Sequence, residues 1–268
     1  RRKMKKAEDQ YGNAKAGHVT FNGTIMHNVN FRNVTAIGAD FSDAILEHAD
    51  FFKADIRDSN FRGANLQHVN LDECDMRNAD FHAATLMGAT MENIEMAGTK
   101  FDYTLMNESD TEDFSEMELT VDELIDKHTM WVSSAGKNGE RMDISKYDMR
   151  KLKTLSERKL TAIVAKGTVF ADMNLQGVEF QSAKLEDVNF REVDMRHADM
   201  RGSTLKHAVF IRANLSSANF GPLVFGKDTD DERLIPCDME EVILRYAICN
   251  GADFRNANFK NADLTHTD

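Results

Sequence analysis

Two prolines, three cysteines and one tryptophan are all that this chain of 268 residues holds of those types. Three cysteines cannot build a disulfide framework and suit a reducing compartment, so a cytoplasmic location is expected. No run of 18 apolar residues occurs, which excludes a membrane-spanning helix. No signal peptide is visible, and because the chain does not begin with Met, residue 1 reads as a fragment boundary. Catalytic signatures are missing too: no GxSxG, HExxH, GxGxxG, paired CxxC or Ser/His/Asp grouping stands out. Gly136-Lys137-Asn138-Gly139 lacks the spacing and the Ser or Thr of a phosphate-cradling loop. The expectation is a protein that is not an enzyme and takes no cofactor.

What is present is a beat of five. From Phe21 the positions run Met26, Phe31, Ala36, Phe41, Leu46, Phe51, Ile56, Phe61, Leu66, Leu71, Met76, Phe81, Leu86, Met91, Met96 and Phe101. Two residues before each lies a small one, as at Ala39, Ala44, Ala49, Ala54, Ser59, Ala64, Val69, Cys74, Ala79, Ala84 and Ala89. A helix needs a period near 3.6 and a strand a period of 2, so neither fits. Five residues with one large and one small inward position suit one short side of a coil, ending at a corner of polar residues.

At these residues the chain resembles the pentapeptide-repeat family. The consensus A-(D/N)-L-x-x is met by Ala39-Asp40-Phe41, Ala49-Asp50-Phe51, Ala64-Asn65-Leu66, Ala79-Asp80-Phe81, Ala213-Asn214-Leu215 and Ala252-Asp253-Phe254. The resemblance implies an all-β solenoid, a right-handed quadrilateral β-helix with four repeats per turn. Positions twenty apart should then stack at about 4.8 Å. The column Phe21, Phe41, Phe61, Phe81, Phe101 is all Phe, and Phe170, Phe190, Phe210 continue the pattern later, so these eight form the expected core ladder.

Changes of phase divide the chain. The expected order is a basic tail or linker (1–18), a first repeat block (19–102), an insertion (103–142), a second block (143–220), an acidic loop (221–236) and a third block (237–268). Leu155, Leu160 and Ala165 share the register of the second block. In the first insertion Thr120 and Glu123 form a capping box, and Leu119 and Leu124 suit a hydrophobic staple, which predicts a helix over about 121–132. The string His128, Trp131-Val132, Ser134, Gly136, Gly139, Arg141, Asp143, Ser145 resembles an insertion seen in some bacterial members of the family, and that likeness implies no activity. The acidic loop holds both prolines, Pro222 and Pro236, and reads as a surface loop.

The net charge is −12, and the tail opposes it, with Arg1, Arg2, Lys3, Lys5, Lys6 and Lys15 against Glu8 and Asp9, as does a basic stretch from Arg150 to Lys159. Cys74 and Cys237 occupy small inward positions and Cys249 a large one, as buried hydrophobes. His48 and His68 should stack on an outward face, too few for a structural zinc site. Asp55, Asp75 and Glu95 form an acidic column that Arg57 and Arg77 should neutralise.

Two function classes follow. The first is a scaffold or adaptor that binds protein partners through solenoid faces and inserted loops, with His128, Trp131, Asp228, Asp230, Asp231 and Glu232 as candidate contacts. The second comes from resemblance to quinolone-resistance pentapeptide proteins, which imitate duplex DNA and bind type II topoisomerases such as gyrase. Net −12 suits it. Arg32, Arg57, Arg62, Arg77, Arg191, Arg196, Arg201 and Arg212, which interrupt the acidic faces, do not, nor does a roughly forty-residue insertion in the rod. Direct nucleic-acid binding is not expected. The last coil, Asp253–Leu264, lacks a capping helix and is expected to pack against a second copy, giving a homodimer, or against another chain.

Overall fold

The computed structural model describes residues 7–8, 14–15, 19–106, 111–114, 117–225 and 232–268. The chain divides into two compact units, Arg1–Ser109 and Asp110–Asp268. Most of the basic tail lies outside the described residues. Within it β1 (Ala7–Glu8) pairs antiparallel with β2 (Ala14–Lys15).

In the N-terminal unit every pentad repeats one construction. The residue before the large position makes a parallel bridge to its equivalent one turn away, from Thr20↔Asp40 through Thr85↔Leu105. The large residue points inward, two residues turn the corner, and the small residue points inward again. Backbone polar groups are accounted for side by side. Phe41 N donates to Asn60 O at 2.7 Å and Asp43 N to Arg62 O at 2.8 Å in the next turn, while Asp40 N donates to Val19 O at 2.9 Å in the previous one. Ala44 N donates to Phe41 O at 3.1 Å and closes the corner.

The preference for Asp or Asn in the repeat has a local cause. The Oδ1 of the bridge residue accepts the N–H two residues on: Ser42 N to Asp40 at 3.0 Å, Arg62 N to Asn60 at 3.1 Å, Asp72 N to Asn70 at 2.9 Å. This Asx turn bends the chain into the corner. The second of the two corner residues, third in the turn, has positive φ, 58° at Asp43 and 56° at His48, the sign that a type II turn requires.

Side chains one turn apart sit one above another. Phe rings stack at centroid distances of 4.8 Å (Phe21–Phe41), 4.7 Å (Phe41–Phe61), 4.7 Å (Phe61–Phe81) and 5.5 Å (Phe81–Phe101). Phe31 and Phe51 stack at 4.6 Å on the opposite side and meet the first column edge-on, 5.6 Å for Phe31–Phe41 and 5.7 Å for Phe41–Phe51. Polar atoms at the small inward position find carbonyls of the turn before. Ser59 Oγ donates to Ala36 O at 2.8 Å, Cys74 Sγ to Phe51 O at 2.8 Å and Thr99 Oγ1 to Met76 O at 2.8 Å. The first block extends beyond 102, because Leu105 still bridges Thr85 and Thr104 Oγ1 donates to Phe81 O at 2.6 Å.

The C-terminal unit uses the same construction with three additions. Its first bridges, Asp143↔Val164 and Asp148↔Val169, span twenty-one residues and the next, Thr154↔Asn174, spans twenty. A 3-10 turn at Arg150–Leu152 absorbs the extra residue. Later Thr204 bridges Asp238, thirty-four residues on, and the surplus leaves the coil as a hairpin of β5 (Leu223–Phe225) and β6 (Arg233–Ile235). The column closes across this break: Phe220 stacks on Phe254 at 4.9 Å, while Phe170–Phe190 and Phe190–Phe210 stack at 5.4 and 4.9 Å.

The third addition precedes the coils. β3 (Glu112–Asp113) pairs parallel with β4 (Tyr147–Asp148), and α1 (Val121–Ser133) follows β3. Thr120 caps α1, accepting from Glu123 N at 3.3 Å while its own N donates to Glu123 Oε2 at 2.9 Å. Val121, Ile125 and His128, at i, i+4 and i+7, form its buried face.

Candidate interaction surface

On the flat faces many of the basic side chains are paired within the coil. In Asp-x-Arg pentads the arginine folds back on its own aspartate through two bonds. Arg57 reaches Asp55 at 2.8 and 2.7 Å, Arg77 reaches Asp75 at 2.8 and 2.6 Å, and Arg196 reaches Asp194 at 2.9 and 2.7 Å. Arg57 also lies 3.4 Å from Asp75, so the predicted acidic column is a ladder of ion pairs. The hydrogen bonds from Arg57 and Arg77 hold Asp55 and Asp75 below the ordinary carboxylate value of 3.8. Lys206 and Lys260 clasp Glu240 at 2.6 and 2.7 Å and hold it at about 2.

His48 and His68 are exposed and stacked at 4.8 Å. Among the described residues no group of three or more His, Cys, Asp or Glu is arranged to hold a metal. The cysteines are free thiols; burial pushes Cys74 up to about 11, Cys237 to about 12 and Cys249 to about 11. They are thiols rather than nucleophilic thiolates at neutral pH.

The insertions differ from the faces. Of the candidate contacts, Asp228, Asp230 and Asp231 lie outside the described residues and Glu232 is exposed. Trp131 is half-buried, with the Arg141 guanidinium 5.6 Å from its ring centroid. His128 requires correction as a partner contact: it is 0 % exposed. Its Nε2 lies 2.9 Å from Thr161 O, and its Nδ1 accepts from Met142 N at 3.1 Å. Trp131 stacks beside it at 5.8 Å. Spacing put both on one face of the helix, and that face turns out to grade from enclosed to open over three residues.

The acidic loop has a stem that loop composition concealed. Val224 pairs with Leu234 and Leu223 with Ile235 across the hairpin. Four apolar residues are exposed there: Val224 at 38 %, Phe225 at 48 %, Leu234 at 54 % and Ile235 at 41 %. The available signal was the pair of apolar, β-prone triplets flanking the acidic run, Leu223-Val224-Phe225 and Arg233-Leu234-Ile235. Gly202 lets the stem lie against the coil: a Cβ there would stand 2.8 Å from Leu223 Cβ, and its φ is +64°. A cleft of about 540 Å³ opens beside the start of α1, lined by Phe114, Met117, Leu119, Leu152, Leu155 and Arg158 among others. In the last coil Phe254 and Phe259 are half-buried and Leu264 is 48 % exposed, whereas Phe220 is fully buried. Among the described residues no helix is long and apolar enough to cross a membrane.

Two protein-family models match the repeat. The model of the pentapeptide repeat region matches residues 24–101 and 154–220, and that of pentapeptide repeats (8 copies) matches 237–268. The sequence finds no match among curated proteins. Similar solved structures include the pentapeptide repeat protein Rfr23 from the cyanobacterium Cyanothece 51142, 23 % identical over 40 % of this chain and 60 % of Rfr23, with a TM-score of 0.32. The chain thus spans less than two thirds of Rfr23. HetL from Nostoc sp. strain PCC 7120, involved in heterocyst differentiation regulation, is 20 % identical over 94 % of this chain and 92 % of HetL, with a TM-score of 0.23. QnrB1, a plasmid-mediated fluoroquinolone resistance protein, is 17 % identical over 94 % of this chain and 92 % of its own, with a TM-score of 0.29. With more than half its length matched by the repeat model, and built of right-handed quadrilateral coils, the chain belongs to the pentapeptide-repeat family.

Proposed function

We propose that the protein is a non-catalytic scaffold or adaptor that binds a protein partner through its insertions. The exposed apolar stem of the β5–β6 hairpin carries this reading: Val224 and Leu234 form a cross-strand pair in solvent, beside a run rich in acidic residues. Such a projecting apolar surface suits protein contact better than it suits water. The half-buried Trp131 is a second anchor, of a type enriched where interfaces concentrate their energy. The tightly packed inward columns fit a binding rather than a catalytic role, and free thiols fit the cytoplasm.

The test is affinity capture with the full chain as bait. Val224→Asp with Leu234→Asp should abolish capture that the wild type gives, and Trp131→Ala should weaken it. If neither variant weakens capture, the interface lies on the flat faces and the hairpin reading fails. The last coil is proposed as a self-association surface, supported by the half-buried Phe254 and Phe259 and the exposed Leu264. Light scattering that finds a clean monomer at tens of micromolar would overturn it.

A second reading, a DNA-mimicking regulator of a type II topoisomerase, is favoured by one observation. Residues 19–106 carry thirteen acidic and six basic side chains. The Asp-x-Arg pairs weigh against it, because they cancel charge where a phosphate mimic needs it free. Inhibition of gyrase supercoiling, or protection of gyrase from a quinolone, would support it, and no effect with a folded sample would leave the scaffold.

A further inference from the structure

His128 is fully enclosed at the point where three segments of the C-terminal unit meet: α1, the return segment of residues 134–142, and a coil of the repeat. Its ring has one bond to each of the other two. Met142 N–H can only donate, so Nδ1 must accept, and Thr161 O can only accept, so Nε2 must carry the proton. Both bonds therefore require the neutral imidazole with hydrogen on Nε2. Other groups close the same junction. Gly139, φ +77°, brings its backbone so near α1 that a Cβ would stand 2.2 Å from Lys127 O, and Glu140 N donates to that oxygen at 3.2 Å. Arg141 Nε donates to Ala162 O at 2.6 Å.

We propose that His128 is a protonation-operated latch, which ties α1 and its return segment to the coil when neutral and releases them when charged. A proton added at Nδ1 points an N–H at the Met142 N–H and removes the only acceptor the ring offers that amide. The charged groups around the junction do not rescue it. Lys127 of α1 is bonded to Glu140 of the return segment at 3.3 Å, and Asp122 of α1 to Arg158 of the coil at 2.9 Å. Among the described residues no carboxylate is bonded to the imidazole, and Arg141, the charged neighbour facing it, repels a second cation. Burial is the largest influence and Arg141 a lesser one; together they hold the group below its ordinary 6.5 although the Thr161 carbonyl favours the proton.

The sign follows. The released ring binds a proton more readily than the latched one, so the latch is fully engaged above the ordinary imidazole value and weakens as pH falls below it. The elements that move carry Trp131, the sole tryptophan, so acidification would also change the surface offered to a partner.

The full chain is examined between pH 8 and 5 by Trp131 emission and by hydrogen exchange, corrected for intrinsic rates. Peptides covering 121–142 should lose protection as pH falls from 8 to 5. Peptides covering 170–215 should not change, and emission should shift to the red. His128→Gln, whose side-chain oxygen and nitrogen can take the two bonds without titrating, should keep 121–142 protected throughout. Equal protection of 121–142 at pH 8 and 5 in the wild type overturns the latch, as does a His128→Gln variant with the wild-type pH dependence. Quenching without a red shift or loss of protection means proximity alone, and also overturns it. Should His128→Gln fail to dock at any pH, the wild type decides: the His128 imidazole resonance must titrate with the midpoint of the exchange change, and a different midpoint sinks the proposal.

Discussion

The coils of residues 19–106 and those that follow Asp143 solve one packing problem under different constraints. The first set keeps a period of twenty from Thr20 to Leu105 without a break. The second is interrupted twice, by one extra residue at Arg150–Leu152 and by the hairpin between Phe220 and Cys237. Both interruptions begin directly after a large inward residue, Met149 in one case and Phe220 in the other, where the chain turns its corner. Neither enters a bridge. Corners face water and can carry added chain, whereas a residue added in a side would turn its inward set outward. That the Phe220–Phe254 stack forms across the break shows that inward columns, rather than chain continuity, set the register.

The sharpest way to break this comparison is to damage one column and watch both units. Phe61→Asp puts a charge where Phe61 is fully enclosed between Phe41 and Phe81. Even truncation of such a ring to Ala costs about 3–5 kcal/mol, and burying an unpaired carboxylate costs more. Hydrogen exchange should show the N-terminal unit unfolded. Phe190→Ala should do the corresponding damage to the C-terminal unit, since Phe190 stacks between Phe170 and Phe210. Arg62→Asp, next to Phe61 on the outside, replaces a surface ion pair with Asp80 by a solvated like-charge contact and should cost about 1 kcal/mol. Equal melting of Phe61→Asp and Arg62→Asp would refute the stacked-column account.

A milder test addresses how the hairpin is seated. Gly202→Ala must find room against Leu223, while Gly167→Ala, at the same φ of +64°, meets nothing nearer than Lys146 Cγ at 3.8 Å. Both place a Cβ in the left-handed region, a strain of about 1–2 kcal/mol. Only Gly202→Ala should also raise exchange in 222–236. Matching exchange in the two variants would mean that the stem does not depend on that contact.

The fold was legible because its signal is dense. The Phe and Leu columns, the Asp or Asn before each large residue and the breaks of phase are all readable, and each has a physical counterpart in a stack, an Asx turn or an insertion. Thr120 and Glu123 mark the start of α1 for the same reason: a capping box is local chemistry. The candidate surface was less legible because it depends on residues distant in sequence. His128 owes its enclosure to Thr161, thirty-three residues on, which helical spacing cannot reveal. In the hairpin, prolines and acids outweighed six stem residues whose meaning emerges only once Leu223–Phe225 pairs with Arg233–Ile235.

Removing the hairpin sharpens the comparison from the other side. Deleting 223–236 restores the twenty-residue period but leaves Pro222 third in the turn, where φ is positive in the neighbouring pentads. Proline is locked near −65°, so that deletion alone should be destabilised by more than about 1 kcal/mol. The same deletion with Pro222→Asn should melt within about 1 kcal/mol of the wild type, since shortening a surface connection changes closure entropy only slightly. If both deletions melt alike, the corner does not impose its φ.

The smallest expected effect concerns the ion-pair ladder. Asp55 and Asp75 are held below 3.8 in the folded chain by Arg57 and Arg77, so the unfolded chain takes up protons first as acid is added. Their contribution is complete above the ordinary carboxylate value and is lost as pH falls through the depressed values. Both pairs are partly exposed, so each contributes little and is screened by salt. Arg57→Gln with Arg77→Gln should therefore lower stability slightly at pH 7 and progressively less as pH falls through the depressed values, and the difference at pH 7 should shrink in 1 M salt. A loss that persists unchanged at pH 2 would trace to the arginine stems covering the coil rather than to charge.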